Sequence, residues 1–98
     1  MSIRVIIAED HPVVRSGIKK ILQDSHDIAV VGEAGDGQEA YQLVQDHEPD
    51  VLLLDMELPV MDGAELTAKL VAEGHSVKIL VLSSYTDREY IKKMLSLG

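Results

Sequence analysis

Four short apolar runs, none of them interrupted by polar residues, constrain the fold of this chain more than any other feature. They are Val5–Ala8, Ile28–Val31, Val51–Leu54 and Ile79–Leu82. Runs of this length that are rich in β-branched residues or leucine, without alternation, are typical of strands buried on both faces of a parallel sheet. The sequence therefore predicts four such strands.

The segments between and after these runs have the periodicity of amphipathic helices. Apolar positions form one stripe in each segment: Val13, Val14, Gly17, Ile18, Ile21 and Leu22; Ala40, Tyr41, Leu43, Val44 and His47; Leu66, Leu70 and Val71; and Tyr90, Ile91, Met94 and Leu95. Helix boundaries are signalled by Pro12, by the capping pairs Asp36/Glu39, Asp62/Glu65 and Thr86/Glu89, and by Gly74. Alternating strands and helices predict a three-layer α/β sandwich around a parallel sheet with right-handed crossovers.

Charge and composition exclude several classes of protein. The 98 residues include 17 acidic and 9 basic side chains, and the net charge of −8 should repel the phosphate backbone of nucleic acids. There is no cysteine, which excludes disulfides and thiol catalysis. The apolar runs are too short to span a bilayer, and no signal peptide precedes the first one. We therefore expect a single cytoplasmic domain over residues 1–98. This domain is expected to bind neither membrane nor nucleic acid.

Acidic and hydroxyl side chains follow three of the predicted strands. Glu9 and Asp10 come directly after the first, Asp55 after the third, and Ser83 and Ser84 after the fourth. The carboxyl ends of parallel strands share one edge of the sheet, where ligands bind in open α/β folds. Converging carboxylates need a counter-charge, and Mg²⁺ with oxygen ligands supplies it. The pattern suits phosphoryl transfer to a carboxylate.

Each of these residues also has a purely structural interpretation. An acid at a strand end is commonly a helix N-cap, and Asp10 alone would fit that role as well, because His11 and Pro12 open a helix beside it. Asp55 fits it poorly, since Pro59 follows too soon for a helix to begin there. The four histidines have no zinc-ligand spacing and are expected at the surface.

Three separated segments resemble the receiver domain of bacterial two-component response regulators. They are residues 6–15 (IIAEDHPVVR), 54–63 (LDMELPVMDG) and 79–85 (ILVLSSY). The Glu-Asp-His-Pro opening, together with Val-Gly-Glu-Ala at 31–34, favours the NarL/FixJ (LuxR-type) subgroup. The resemblance covers the whole chain and implies a flavodoxin-like, CheY-like fold.

The same resemblance implies a role for individual residues. Asp55 matches the aspartate that accepts a phosphoryl group, and Ser83 matches the hydroxyl that contacts this group and starts the switch. Glu9 and Asp10 match the acidic pair that holds Mg²⁺, with Asp10 as the direct ligand and Glu9 acting mainly through water. The backbone carbonyl of Glu57 matches a further protein ligand, so the implied metal ligands are Glu9, Asp10, Asp55 and Glu57.

The resemblance also implies partners and exposes one departure. The expected partner is a sensor histidine kinase, and the expected output is a transcription-regulating DNA-binding domain that this chain does not contain. In the family, a fifth strand carrying a lysine and a fifth helix follow the fourth helix. Neither is present, so the chain is expected to be a receiver domain truncated at its C-terminus, and the open edge of the fourth strand could support a homodimer.

Alternatives from other classes of protein are mostly excluded by the motifs. A phosphatase of the haloacid dehalogenase type needs Asp-x-Asp after a strand, whereas residues 55–57 read Asp-Met-Glu. A flavodoxin needs a first loop rich in serine and threonine, where this chain carries Glu9 and Asp10. We therefore predict a signalling switch rather than an enzyme. A non-phosphorylated receiver that acts as an interaction or dimerisation module remains open.

Overall fold

A four-stranded parallel sheet is the central layer of the structure, a computed structural model that describes residues 2–82. The strand order is β2-β1-β3-β4. In chain order the elements are β1 (Ile3–Ala8), α1 (Pro12–Gln23), β2 (Ile28–Ala34), α2 (Gly37–His47), β3 (Val51–Asp55), α3 (Gly63–Ala72) and β4 (Lys78–Leu82). All four predicted strands form, but the burial predicted for them is confirmed only for β1 and β3; β2 and β4, on the outside of the described sheet, are partly exposed. The fourth predicted helix and Ser83 lie outside the described residues.

Successive residues of the two central strands face opposite layers of the sandwich. On one face, Ile6 of β1 and Leu52 of β3 pack with the buried residues of α2 and α3; on the other, Val5 and Leu53 pack with α1. All four side chains are almost fully buried. Burying a side chain of this kind contributes about 1.5–3 kcal/mol relative to exposure, so the central strands anchor both outer layers. This arrangement confirms the three-layer α/β fold.

The strand register aligns the ends that carry the predicted site. Ala8, the last residue of β1, pairs with Ala34 of β2 on one side and Leu54 of β3 on the other. Glu9 follows Ala8 and Asp55 follows Leu54, so both acids come out at the same edge of the sheet. The register therefore converts two distant sequence positions into neighbours.

Helix capping agrees with the sequence prediction. The Asp36 side chain accepts a hydrogen bond from the backbone N–H of Glu39 at 2.7 Å, and that of Asp62 accepts one from Glu65 at 2.8 Å. These bonds satisfy amide groups that have no partner within the helix. α3 ends at Ala72, two residues before Gly74, whose φ of +76° suits glycine.

Within residues 2–82, three valines of the predicted stripes face solvent instead of the core. Val13 is 85% exposed, and Val14 and Val71 are also exposed. The first two lie in the opening turn of α1, at the edge of the sheet where the strands end, so the helix has little sheet beneath it there. On the same helix, Ile18 and Leu22 are buried. No helix within the described residues is long and apolar enough to cross a membrane.

Candidate functional site

Four side chains meet at the carboxyl edge of the two central strands. Glu9, Asp10 and His11 come from the loop after β1, and Asp55 ends β3. One ligand atom of each lies within 4.8 Å of the others. Three carboxylates this close repel one another, and their oxygen atoms are the donors that hard divalent cations prefer.

Glu9 is the buried member of the cluster. Its side chain is 6% exposed, and its backbone N–H donates to the carbonyl of Ala34 at 3.0 Å. The carboxylate oxygen Oε1 accepts from the backbone N–H of His11 at 3.1 Å and contacts Nδ1 of the same residue at 2.7 Å. Burial raises the pKa of Glu9 above its ordinary value; the bonds from His11 oppose this rise and the nearby Asp55 adds to it.

Asp10 provides the observation that bears on a metal. Its Oδ1 atom is buried and accepts no hydrogen bond from the described part of the chain, although Nδ1 of His11 lies 3.0 Å away. A buried carboxylate oxygen without a hydrogen bond is costly unless a cation lies beside it. The cluster therefore fits a hard cation, and direct ligation by Asp10 stays a prediction.

Asp55 is half-buried and its carboxylate is oriented by the turn that follows. Its Oδ1 accepts a hydrogen bond from the backbone N–H of Glu57 at 3.0 Å. The Glu57 side chain is exposed and is not a member of the four-residue cluster. The ligand role predicted for Glu57 concerns its backbone carbonyl, and that role stays a prediction.

Two glycines allow the loop between β3 and α3 to pack beside the acids. The N–H of Gly63 donates to the carbonyl of Met56 at 3.0 Å, and a Cβ on Gly63 would lie 2.6 Å from Cα of Met56. A Cβ on Gly37, at the start of α2, would lie only 1.7 Å from the carbonyl oxygen of Met61. No side chain fits at either position, so both glycines are needed for the close approach of the backbone.

His11 is the residue of the cluster that sequence reasoning missed. Its side chain is 71% exposed, as expected for a surface histidine, but Nδ1 faces two carboxylates. The hydrogen bond to Glu9 raises the pKa of His11, and the charge of Asp10 adds to the rise. The available signal was position: His11 directly follows the two acids at the strand end.

Comparison with known proteins agrees with this geometry. The family model described as the response regulator receiver domain matches residues 5–98. The chain belongs to this family. Oxygen regulatory protein NreC from Staphylococcus carnosus is 44% identical over 96 residues, which are 97% of this chain and 44% of that protein. The uncharacterized transcriptional regulatory protein YhcZ from Bacillus subtilis is 38% identical over 95 residues, which are 97% of this chain and 44% of that protein. The chain thus spans less than half the length of these relatives.

Solved structures show the same fold. The signal receiver domain of the response regulator NarL from Mycobacterium tuberculosis has a TM-score of 0.82 at 36% identity, covering 99% of this chain and 78% of that one. A LuxR-family two-component response regulator from Aurantimonas has a TM-score of 0.80 at 30% identity, covering 100% and 70%. The NarL-type resemblance and the flavodoxin-like receiver fold are confirmed. Family membership places this receiver domain in two-component phosphorelay signalling.

Proposed function

We propose that Asp55 accepts a phosphoryl group from a sensor histidine kinase in a Mg²⁺-dependent reaction. The observation that carries the proposal is the convergence of Glu9, Asp10 and Asp55 within 4.8 Å at the end of the central strands of a receiver fold. The buried Oδ1 of Asp10, which accepts no hydrogen bond from residues 2–82, supports a cation at this point. A carboxylate at the end of β3, half-exposed, is accessible to a phosphoryl donor.

The reaction consumes the phosphohistidine of the kinase and one proton from solvent. A carboxylate oxygen of Asp55 attacks phosphorus and forms a P–O bond while the P–N bond of the phosphohistidine breaks, and the released imidazole nitrogen takes a proton from water. The hydrogen bond from the backbone N–H of Glu57 holds Oδ1 of Asp55 in place, so the attacking oxygen is Oδ2. When bound, Mg²⁺ supplies positive charge that offsets the negative charge of the carboxylates and the phosphoryl oxygens.

The other residues of the site have supporting roles in this proposal. Asp10 binds the cation directly and Glu9 mainly through water, because Glu9 is buried and already bonded to His11. The backbone carbonyl of Glu57 is a further ligand. Ser83, which is outside the described residues, contacts the phosphoryl group through its hydroxyl and starts the conformational switch.

The output of the switch is proposed to be transcription regulation by a DNA-binding domain in a longer parent protein. The relatives support this, since they are more than twice as long as the matched region and include a transcriptional regulatory protein. The net charge of −8 agrees that the receiver domain does not bind nucleic acid itself. A cytoplasmic location and a homodimer are part of the same proposal, and sedimentation velocity at several concentrations tests the dimer.

Intact mass after incubation with Mg²⁺ and acetyl phosphate tests the acceptor. We expect one phosphoryl adduct on the unsubstituted chain and on the control Asp27→Asn, which removes an exposed acid from the loop before β2. We expect none on Asp55→Asn, or on the unsubstituted chain in the presence of a chelator. An adduct that persists on Asp55→Asn would place phosphorylation elsewhere. Failure to phosphorylate the unsubstituted chain, alone or extended by a fifth strand and its lysine, would favour the non-phosphorylated interaction module.

A further inference from the structure

A guanidinium on α1 holds the peptide that joins the two neighbouring acids of the site. Nη1 of Arg15 donates a hydrogen bond of 2.8 Å to the backbone carbonyl of Glu9. That carbonyl belongs to the peptide unit linking Glu9 to Asp10. The Arg15 side chain is 25% exposed and passes close to Gly35, where a Cβ would lie 3.4 Å from Nη1. The path of the side chain is therefore confined.

The guanidinium is anchored at its other end by the edge strand β2. Nε of Arg15 lies 3.6 Å from Oε1 of Glu33, and Nζ of Lys19 lies 2.9 Å from Oε2 of the same carboxylate. Glu33 pairs with Ile7 in the sheet, two residues before Glu9. Arg15 thus connects β2 to the loop that carries the acids. Lys19 binds the same Glu33 carboxylate, and Glu33 is the acid nearest to it among the described residues.

The bond from Arg15 restricts the orientation of both acids. A peptide unit is planar, so a hydrogen bond that fixes the direction of the Glu9 carbonyl restricts the positions of the Cα atoms of Glu9 and Asp10, which lie in the same plane. The preceding peptide is already held, because the N–H of Glu9 donates to Ala34. These two bonds together restrict the backbone rotations that would move the carboxylates of Glu9 and Asp10 out of the cluster.

We propose that Arg15 is a positioning residue for Mg²⁺ binding, an inference that rests on the metal site of the proposed function. Arg15 acts through the Glu9 carbonyl and does not contact the cation. Groups that orient metal ligands from behind typically change metal affinity by about 10–100-fold when removed. Because the contact here is a single backbone bond, we expect the lower end, about tenfold weaker Mg²⁺ binding for Arg15→Ala.

The sign of the change separates positioning from simple electrostatics. A guanidinium near the site repels a cation, so removing its charge alone would tighten Mg²⁺ binding. Removing an orienting contact weakens it. A role confined to fold stability would lower the melting temperature of the metal-free protein and leave the affinity of the folded protein unchanged.

Isothermal titration of the 98-residue chain with MgCl₂ alone tests the inference. The variants are Arg15→Ala, Arg15→Lys and the matched control Lys19→Ala, which removes one positive charge and one Glu33 ion pair from the same helix. Circular dichroism melting without metal establishes that each variant is folded at the titration temperature. We expect weaker binding by Arg15→Ala, an intermediate affinity for Arg15→Lys, and no change for Lys19→Ala.

The outcomes distinguish the inference from the function on which it rests. Equal or tighter Mg²⁺ binding by folded Arg15→Ala overturns the positioning role while leaving the metal site intact. If Arg15→Ala does not fold, the test rests on Arg15→Lys. A lysine ammonium lacks the several nitrogen atoms by which the guanidinium contacts the Glu9 carbonyl and Glu33 at the same time. Unchanged Mg²⁺ affinity of Arg15→Lys then overturns the inference. No Mg²⁺ binding by the unsubstituted chain overturns the metal site itself, and this inference with it.

Discussion

Replacing Asp10 by asparagine separates two effects of the acidic cluster: the charge repulsion that destabilises the metal-free protein, and the stabilisation that follows when Mg²⁺ binds. The substitution keeps the size of the side chain and removes one of the three negative charges that meet at the strand ends. If the carboxylates are held together for a cation, the metal-free protein should become more stable when one charge is removed, and the stabilising effect of Mg²⁺ should largely disappear.

The size of the effect follows from the geometry. Ligand atoms of the cluster lie within 4.8 Å of one another. At an effective dielectric constant of about 20, two like charges at this distance repel by about 3.5 kcal/mol. The Asp10 side chain is 31% exposed, so solvent screening reduces this value, and we expect a net gain of about 1–2 kcal/mol over both carboxylate neighbours. For a domain of this size, that gain corresponds to about 5–10 °C in melting temperature.

Thermal unfolding with and without Mg²⁺ measures both consequences. The experiment is done well above the raised pKa of His11, where the imidazole is neutral and its attraction to Asp10 does not offset the gain. Asp27→Asn serves as the charge-matched control, because Asp27 is exposed in the loop before β2, at the opposite end of the sheet. A melting temperature that falls in Asp10→Asn, or that still rises with Mg²⁺ as in the unsubstituted chain, would refute the reasoning.

Two further predictions concern the surroundings of the site. Gly37→Ala should lower the free energy of unfolding, measured in urea, by about 2–3 kcal/mol, because its Cβ would collide with the Met61 carbonyl. Gly17→Ala is the control: no atom lies within 4 Å of its Cβ, and alanine favours a helix more than glycine does, so the free energy of unfolding should rise by up to about 1 kcal/mol. Equal effects of the two would argue against the close approach. Metal-free stability should fall as pH rises above 6.5 and through the raised pKa of His11, since the folded state binds the proton more tightly. This decline, followed by urea unfolding at several pH values, should be absent in His11→Gln, and its persistence there would assign it to another group.

Much of the fold and of the acidic site follows from the sequence because the deciding signals are local. Unbroken apolar runs mark buried strands, and a carboxylate three residues before a glutamate marks a helix start, as at Asp36 and Asp62. The strand-end acids can be grouped from their sequence positions, since parallel strands bring their carboxyl ends to one edge. For Glu9, Asp10 and Asp55, sequence position and the general geometry of a parallel sheet were sufficient.

Other features depended on how the layers pack. The strand order β2-β1-β3-β4 places Glu33 beside β1, and the course of α1 brings Arg15 to the Glu9 carbonyl and leaves Val13 exposed. The contact of Gly37 with the loop after β3 joins residues from different layers. Periodicity describes which face of a helix is apolar, but the rotation of that face against the sheet and the reach of a long side chain are set by contacts between elements distant in sequence. Such contacts exist only once the chain has folded.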